Sequence, residues 1–206
     1  MIFNWKNIYF LSSIGFLVLV VFLFEPIVFG GKMFGSPDSL SPRSVGIALN
    51  KASEELGNYP HWQPWVFSGM PTAEAFSYLS KLYFPEYIFK LFSLSGAFIQ
   101  LLHLVFAGLG CMFLLKQFKC SSLASFMGSI AFMTTPYMIT MAVYGHGSQL
   151  MTAAYIPWVV WLSVRLWSSP NLVNCGSLAL LLGFQLQRAH AQVAYYTWLL
   201  IGLYFM

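Results

Sequence analysis

A chain of 206 residues that is 58% hydrophobic and only 8% charged cannot cover a water-soluble surface, since soluble domains carry roughly 25% charged residues. The mean hydropathy of +0.70 places it among integral membrane proteins. The formal charge of +4 comes from basic residues scattered singly, with no aromatic–basic interleaving. That excludes a nucleic-acid interface and suits helix flanks and lipid headgroups.

Residues 8–24 form the first apolar run, which reaches Glu25-Pro26 and gains span length through Ile27, Val28 and Phe29. No A-x-A site follows, so it reads as an uncleaved first helix and not a signal peptide. A polar run then occupies residues 30–80 and, with its edge at Glu25, holds five of the six acidic residues: Glu25, Asp38, Glu54, Glu55 and Glu74. Within it, Ser41-Pro42 predicts a helix start. Val45, Ala48, Leu49, Ala52 and Leu56 make one apolar stripe, and Gly57 ends the helix. Too short and polar to span, this helix is expected on the membrane surface. Residues 58–72, rich in Pro, Trp and Gly, predict an irregular loop with Trp62 and Trp65 at the interface. Residues 78–92 predict a second surface helix.

Further spans are expected over 94–115, 122–143 with a kink at Pro136, 150–167 and 172–186. A sixth begins at 193 and runs to Met206 with no flanking charge, as expected for the N-terminal part of something longer or a truncated gene product. The fold class is therefore all-α: a polytopic membrane bundle of about six helices, one domain over 1–206. Residues 30–93 form a large first external loop carrying surface helices. Cys111, Cys120 and Cys175 have no CxxC spacing and read as small apolar side chains, not as a disulfide or zinc framework.

Orientation follows the basic residues of short loops. Lys6, Lys116, Lys119 and Arg165 fall on one side, against only Arg188 on the other. The N-terminus is then cytoplasmic. The long loop, the Gly145-His146-Gly147 link and the segment Arg188-Ala189-His190-Ala191-Gln192 are external, and with them every acidic residue.

The strings FGGKMFGSPDSL, HWQPWVFSGMPT, GHGSQLMTAAYIPWV and QLQRAHAQVAYYTW resemble the bacterial YfhO-like membrane proteins of the wider GT-C glycosyltransferase group, a resemblance that extends from about Phe22 to Trp198. The resemblance implies a GT-C-like fold in the bacterial inner membrane. It also implies transfer of a sugar from a polyprenyl-phosphate donor to a cell-envelope glycan or lipid on the outer face. An acidic residue of the first external loop serves that group as catalytic base or metal partner, and Asp38 stands at that position. The resemblance thus leaves room for a divalent cation, although no metal-ligand spacing is evident. Two positions depart from the pattern: Pro37 precedes Asp38, and Ser41-Pro42-Arg43 stands where the family has a glutamine.

Each candidate carries a plainer reading beside the functional one. Asp38 suits a general base and also a turn. Glu25 sits where the first helix leaves the bilayer, as a functional carboxylate or a headgroup-layer residue. Arg188 and His190, with Gln192 next in the same segment, could neutralise a donor phosphate or simply anchor to headgroups. His146 between glycines, and more weakly His61, are candidate substrate contacts. His103 reads as a satisfied intramembrane histidine. The rival function is a transporter or flippase built on midplane ionisable groups; a non-catalytic scaffold fragment is the third reading.

Overall fold

The computed structural model describes residues 5–35, 37–72, 83–188 and 190–206, and their side chains apart from those of 5–7 and 37–43. Helix α1 (Trp5–Leu23) is followed by the short α2 (Glu25–Val28) and by α3 (Pro37–Leu56). A two-stranded antiparallel pair, β1 (Trp62–Gln63) and β2 (Met70–Pro71), closes the hairpin. The remaining helices are α4 (Pro85–Leu91), α5 (Gly96–Gln117), α6 (Ser122–Met133), α7 (Pro136–Val143), α8 (Gly147–Ala153), α9 (Ile156–Ser168), α10 (Leu172–Gln187) and α11 (Ala191–Phe205).

Three stretches are long and apolar enough to cross a membrane: Gly96–Gln117, Ser122–Val143 and Gly147–Ser168. Ile8–Leu23 and Leu172–Gln187 are apolar but shorter. Two of the long stretches are broken where proline demands it. Thr135 sits just before Pro136, and a residue in that position is pushed out of the helical region. The Thr135 hydroxyl then caps α7 by accepting from the Met138 N–H at 3.4 Å. The second break, at Ala154-Tyr155 ahead of Pro157 in α9, was not expected from the sequence.

Helix starts follow side-chain chemistry. Ser95 accepts from Phe98 N–H at 3.2 Å, Ser121 from Ala124 N–H at 3.2 Å, and Asn171 from Asn174 N–H at 2.9 Å. Each satisfies one of the donors a helix leaves open at its N-terminus. The expected start of α3 at Ser41-Pro42 is corrected: the helix begins at Pro37. Pro37 takes the first helical position and Asp38 falls in the first turn. Gly57 ends α3 with φ of 68°, as expected of a glycine past the last turn. Along the α3 stripe Leu49 is buried while Glu54 and Glu55 are exposed. Of the second surface helix, α4 is described; residues 78–82, and Glu74 before them, lie outside the described residues.

α5 is the centre of the bundle, packed against α1, α6, α8 and α9, while α11 packs on α8, α9 and α10. Phe16 and Val20 of α1, Leu101, Leu104 and Met112 of α5, and Met133 of α6 form the main core. Close packing and hydrogen bonds between side chains join these helices, the contacts that hold helices together where they pack within lipid. Tyr9 stacks on Phe113 with ring centroids 4.4 Å apart, and Phe16 on Phe126 at 5.2 Å. The Trp158 indole N–H donates to the Phe106 carbonyl at 2.7 Å, tying α9 to α5. Gln185 donates to Thr197 Oγ1 at 2.9 Å and ties α10 to α11. Buried hydroxyls donate back to carbonyls one turn earlier, as Ser129 does to Ser125 and Thr197 to Val193, so that these hydroxyls are satisfied within their own helices. At the end bearing Lys116 and Arg165, the Lys116 ammonium bonds the Cys120 carbonyl at 2.9 Å, and Arg165 Nε bonds Asn174 Oδ1 at 3.1 Å.

Candidate functional site: a cavity at the head of the last helix

The other end of the bundle gathers the polar segments. Gly31, Lys32, Ser95, Gly96 and Gly145 line one cavity of about 360 Å³, so the chain after α2, the start of α5 and the glycine-flanked link meet there. Beside it, at the corner of α7, α8 and α11, a second cavity of about 430 Å³ is lined by His190, Gln192, Gln149, Tyr196, Tyr137 and Leu200 among others. Gln192 and Leu200 are eight residues apart on α11, so this cavity runs about 12 Å along the helix. Its lining combines the polar side chains of His190, Gln192, Gln149 and Tyr196 with the apolar ones of Ile156, Val193 and Leu200.

His190 heads α11 and accepts from the Val193 N–H through Nδ1 at 3.4 Å. A neutral ring that accepts through Nδ1 carries its proton on Nε2, which is then a donor. Gln192 donates to the Tyr196 hydroxyl at 2.8 Å, a one-turn pair that leaves the Tyr196 O–H able to donate. The cavity lining therefore offers hydrogen-bond donors. Burial lowers the His190 pKa from 6.5; its own backbone hydrogen bond opposes this, and the nearby His146 adds to the lowering. The folded chain then binds fewer protons than the unfolded chain just below pH ~6.5, so His190 favours the fold above that pH and less as pH falls. Acidification from about pH 7.5 to about pH 5.5 is expected to lower the melting temperature of the parent more than that of His190→Asn, which keeps a capping acceptor. Equal falls would remove His190 from the pH response.

The second polar feature is buried between the bundle and α4. His103 Nδ1–H donates to the Ile99 carbonyl at 2.8 Å, and its Nε2 meets the Tyr83 hydroxyl at 3.1 Å. Tyr83 is in turn hydrogen-bonded to the Tyr155 hydroxyl. The Arg188 guanidinium lies 4.4 Å from the Tyr83 ring centroid, and its Nη1 is 3.9 Å from a Glu86 carboxylate oxygen. Glu86 also pairs with Lys90 at 3.3 Å. Burial pushes the Arg188 pKa below the usual arginine range while Tyr83 and Glu86 push it back up; the guanidinium stays charged, as arginine does in proteins. Its Nε has no hydrogen-bond partner among the described residues. Tyr83 is pushed up, chiefly by burial.

The sequence candidates therefore separate. His190 and Gln192 share the α11 cavity, with His146 close by at the head of α8. Arg188, two residues from His190, turns the other way, under Tyr83 and beside Glu86. Glu25 is exposed and lines a groove on the outer side of α1 with Leu17, Val18 and Phe22. His61 is exposed at the hairpin, its carbonyl accepting from the Thr72 N–H at 3.0 Å. Asp38 is in the first turn of α3, and its side chain lies outside the described residues. His103 is satisfied within the bundle, as expected. Sequence reasoning missed Tyr83, Tyr155, Gln149 and Tyr137. Only Tyr196 carried a local signal, one turn from Gln192.

Among the described residues no three His, Cys, Asp or Glu side chains gather to hold a metal ion, and no step below runs through one. No protein-family model, curated protein or solved structure matches the chain.

Proposed function

We propose that the chain is the membrane part of a GT-C-type glycosyltransferase that uses a polyprenyl-phosphate sugar at the outer face of a bacterial inner membrane. In this reading it has six spans, a cytoplasmic N-terminus and an external loop 30–93, and it passes the sugar to a cell-envelope glycan or lipid. The observation that carries the reading is the α11 cavity, whose lining sets hydrogen-bond donors at His190 and Tyr196 beside apolar side chains such as Val193, Ile156 and Leu200, a combination that suits a lipid phosphate. The His190 Nε2–H and Tyr196 O–H would donate to phosphate oxygens, which accept strongly because they are charged. The wall formed by Val193 and Leu200 would receive the first isoprene units.

Asp38 is the proposed base. It takes the proton of the acceptor hydroxyl as that oxygen bonds the anomeric carbon and the lipid phosphate leaves with the electrons of the broken bond. Glu25 is the second candidate carboxylate, and His146 and His61 are candidate contacts to sugar or acceptor. Arg188 acts from behind the cavity by holding the α10–α11 corner. The test is transfer of labelled sugar from polyprenyl-phosphate donors by membranes holding the full-length protein. Leu200→Trp, which fills the cavity, is expected to weaken donor binding about tenfold, the order of a displaced isoprenoid contact. Asp38→Asn is expected to bind donor as the parent does and to transfer at background. Unchanged transfer in both variants would sink the proposal.

The transporter reading has one observation in its favour, the buried His103–Tyr83–Tyr155 chain with Arg188 beside it. It predicts sugar-lipid flux across vesicles without transfer.

A further inference from the structure

A slot of about 370 Å³ opens between α4, α5 and α10, away from the α11 cavity. Its walls include Phe89, Leu181 and Phe184, and its floor is Tyr83, His103 and Tyr155. The volume lies within the ~300–1,000 Å³ range of small-molecule sites, which combine apolar walls with a few fixed polar groups. All three floor residues are at most 3% exposed, so the floor is built into the fold.

The hydrogens on that floor can be counted. The Ile99 carbonyl only accepts, so His103 Nδ1 carries the proton and, in the neutral ring, Nε2 only accepts. The Tyr83 O–H must then donate to Nε2. The Tyr83 oxygen is left to accept from the Tyr155 O–H. Every hydrogen is spent, and the chain ends on the Tyr155 oxygen, whose lone pairs meet no donor among the described residues. The floor therefore offers an acceptor and no donor. A phosphate or carboxylate would find no hydrogen-bond donor on this floor. An ammonium would face the Arg188 guanidinium behind the Tyr83 ring. A neutral hydroxyl on a hydrocarbon chain meets both the floor and the walls.

We propose that this slot is a second ligand site, which takes a neutral long-chain or isoprenoid alcohol with its hydroxyl donating to Tyr155. It is the chemical converse of the α11 cavity, whose lining offers donors, and it does not depend on the glycosyltransferase reading.

The probe is a diazirine-bearing hexadecanol, compared with its methyl ether, on the full chain in phospholipid nanodiscs. Labelled peptides are mapped by mass spectrometry. The alcohol is expected to label the segments around Phe89 and Leu181 roughly three- to tenfold more than the ether, the ratio one neutral hydrogen bond supplies. Leu181→Trp, which fills the slot, is expected to abolish that labelling. Equal labelling by alcohol and ether would overturn the proposal. So would unchanged labelling of a folded Leu181→Trp, which would place the probe in the surrounding lipid. If Leu181→Trp does not fold, the alcohol-to-ether ratio on the parent and on Leu181→Ala decides, a ratio near one overturning the proposal.

Discussion

Gly110→Val is expected to prevent the bundle from assembling as the parent does. A Cβ at Gly110 would overlap the Trp158 ring, standing 2.8 Å from its Cγ and nearer still to Cδ1 and Nε1. That indole has nowhere to go. It stacks on Phe106 with centroids 5.0 Å apart, leans on Phe113 at 5.2 Å, and donates to the Phe106 carbonyl. Overpacking a good core costs about 1–3 kcal/mol, and a trapped indole puts Gly110→Val at or above the top of that range. The α5 backbone must then move from α9, the approach that small residues permit at membrane helix interfaces. Gly108, about 200° around the helix, faces Met133 and Phe16 on the opposite side. A thioether can move aside, so Gly108→Ala is expected to be milder. At Gly176 in α10 an added Cβ meets nothing within 4 Å. Gly176→Ala should gain up to ~1 kcal/mol of helix propensity. Melting of the detergent-solubilised variants, followed by fluorescence-detected gel filtration, checks the order. Gly110→Val melting with the parent would show that α5 and α9 do not depend on this approach.

Tyr83→Phe is expected to be the most costly conservative change in the polar interior. The phenyl ring can keep its place beneath Arg188 and its edge contact with Phe184, whose centroid is 5.9 Å away. What goes is the hydroxyl at the middle of the chain, leaving the His103 Nε2 acceptor and the Tyr155 donor without partners. Each buried group so orphaned costs roughly 1–3 kcal/mol. Tyr155→Phe removes only the terminal donor, leaving the Tyr83–His103 bond in place, and should cost less. The same melting assay ranks the two. A Tyr155→Phe variant as unstable as Tyr83→Phe would mean that the direction of the chain is wrong.

Much of the architecture follows from local chemistry and could be read in advance. The break at Pro136 needs only a ring without an N–H. The same rule applied to Pro157 would have found the second break, and the apolar run around it hid the signal. The end of α3 at Gly57 needs only a residue that tolerates positive φ. Its start was misplaced because Ser36-Pro37-Asp38 and Ser41-Pro42 are both plausible start signatures, and the chain takes the earlier. His190 and Gln192 lie together because they are two residues apart at a helix head.

Arg188 shows where local reading stops. A basic residue at the end of an apolar helix suits a headgroup as well as an interior partner. The choice between them lies with Tyr83 and Glu86, more than 100 residues earlier in the chain.

The sequence by itself determined the all-α class, the apolar stretches of which three are long enough to cross a membrane, and several helix ends, among them Pro136 and Gly57, because hydropathy, proline and glycine act within a turn or two. Only the tertiary structure decided which glycine meets Trp158, that Tyr83 joins His103 and Tyr155, and that His190 lines a cavity while Arg188 turns away from it. Each of those depends on which helix faces which, and that is set by contacts between residues distant in the chain.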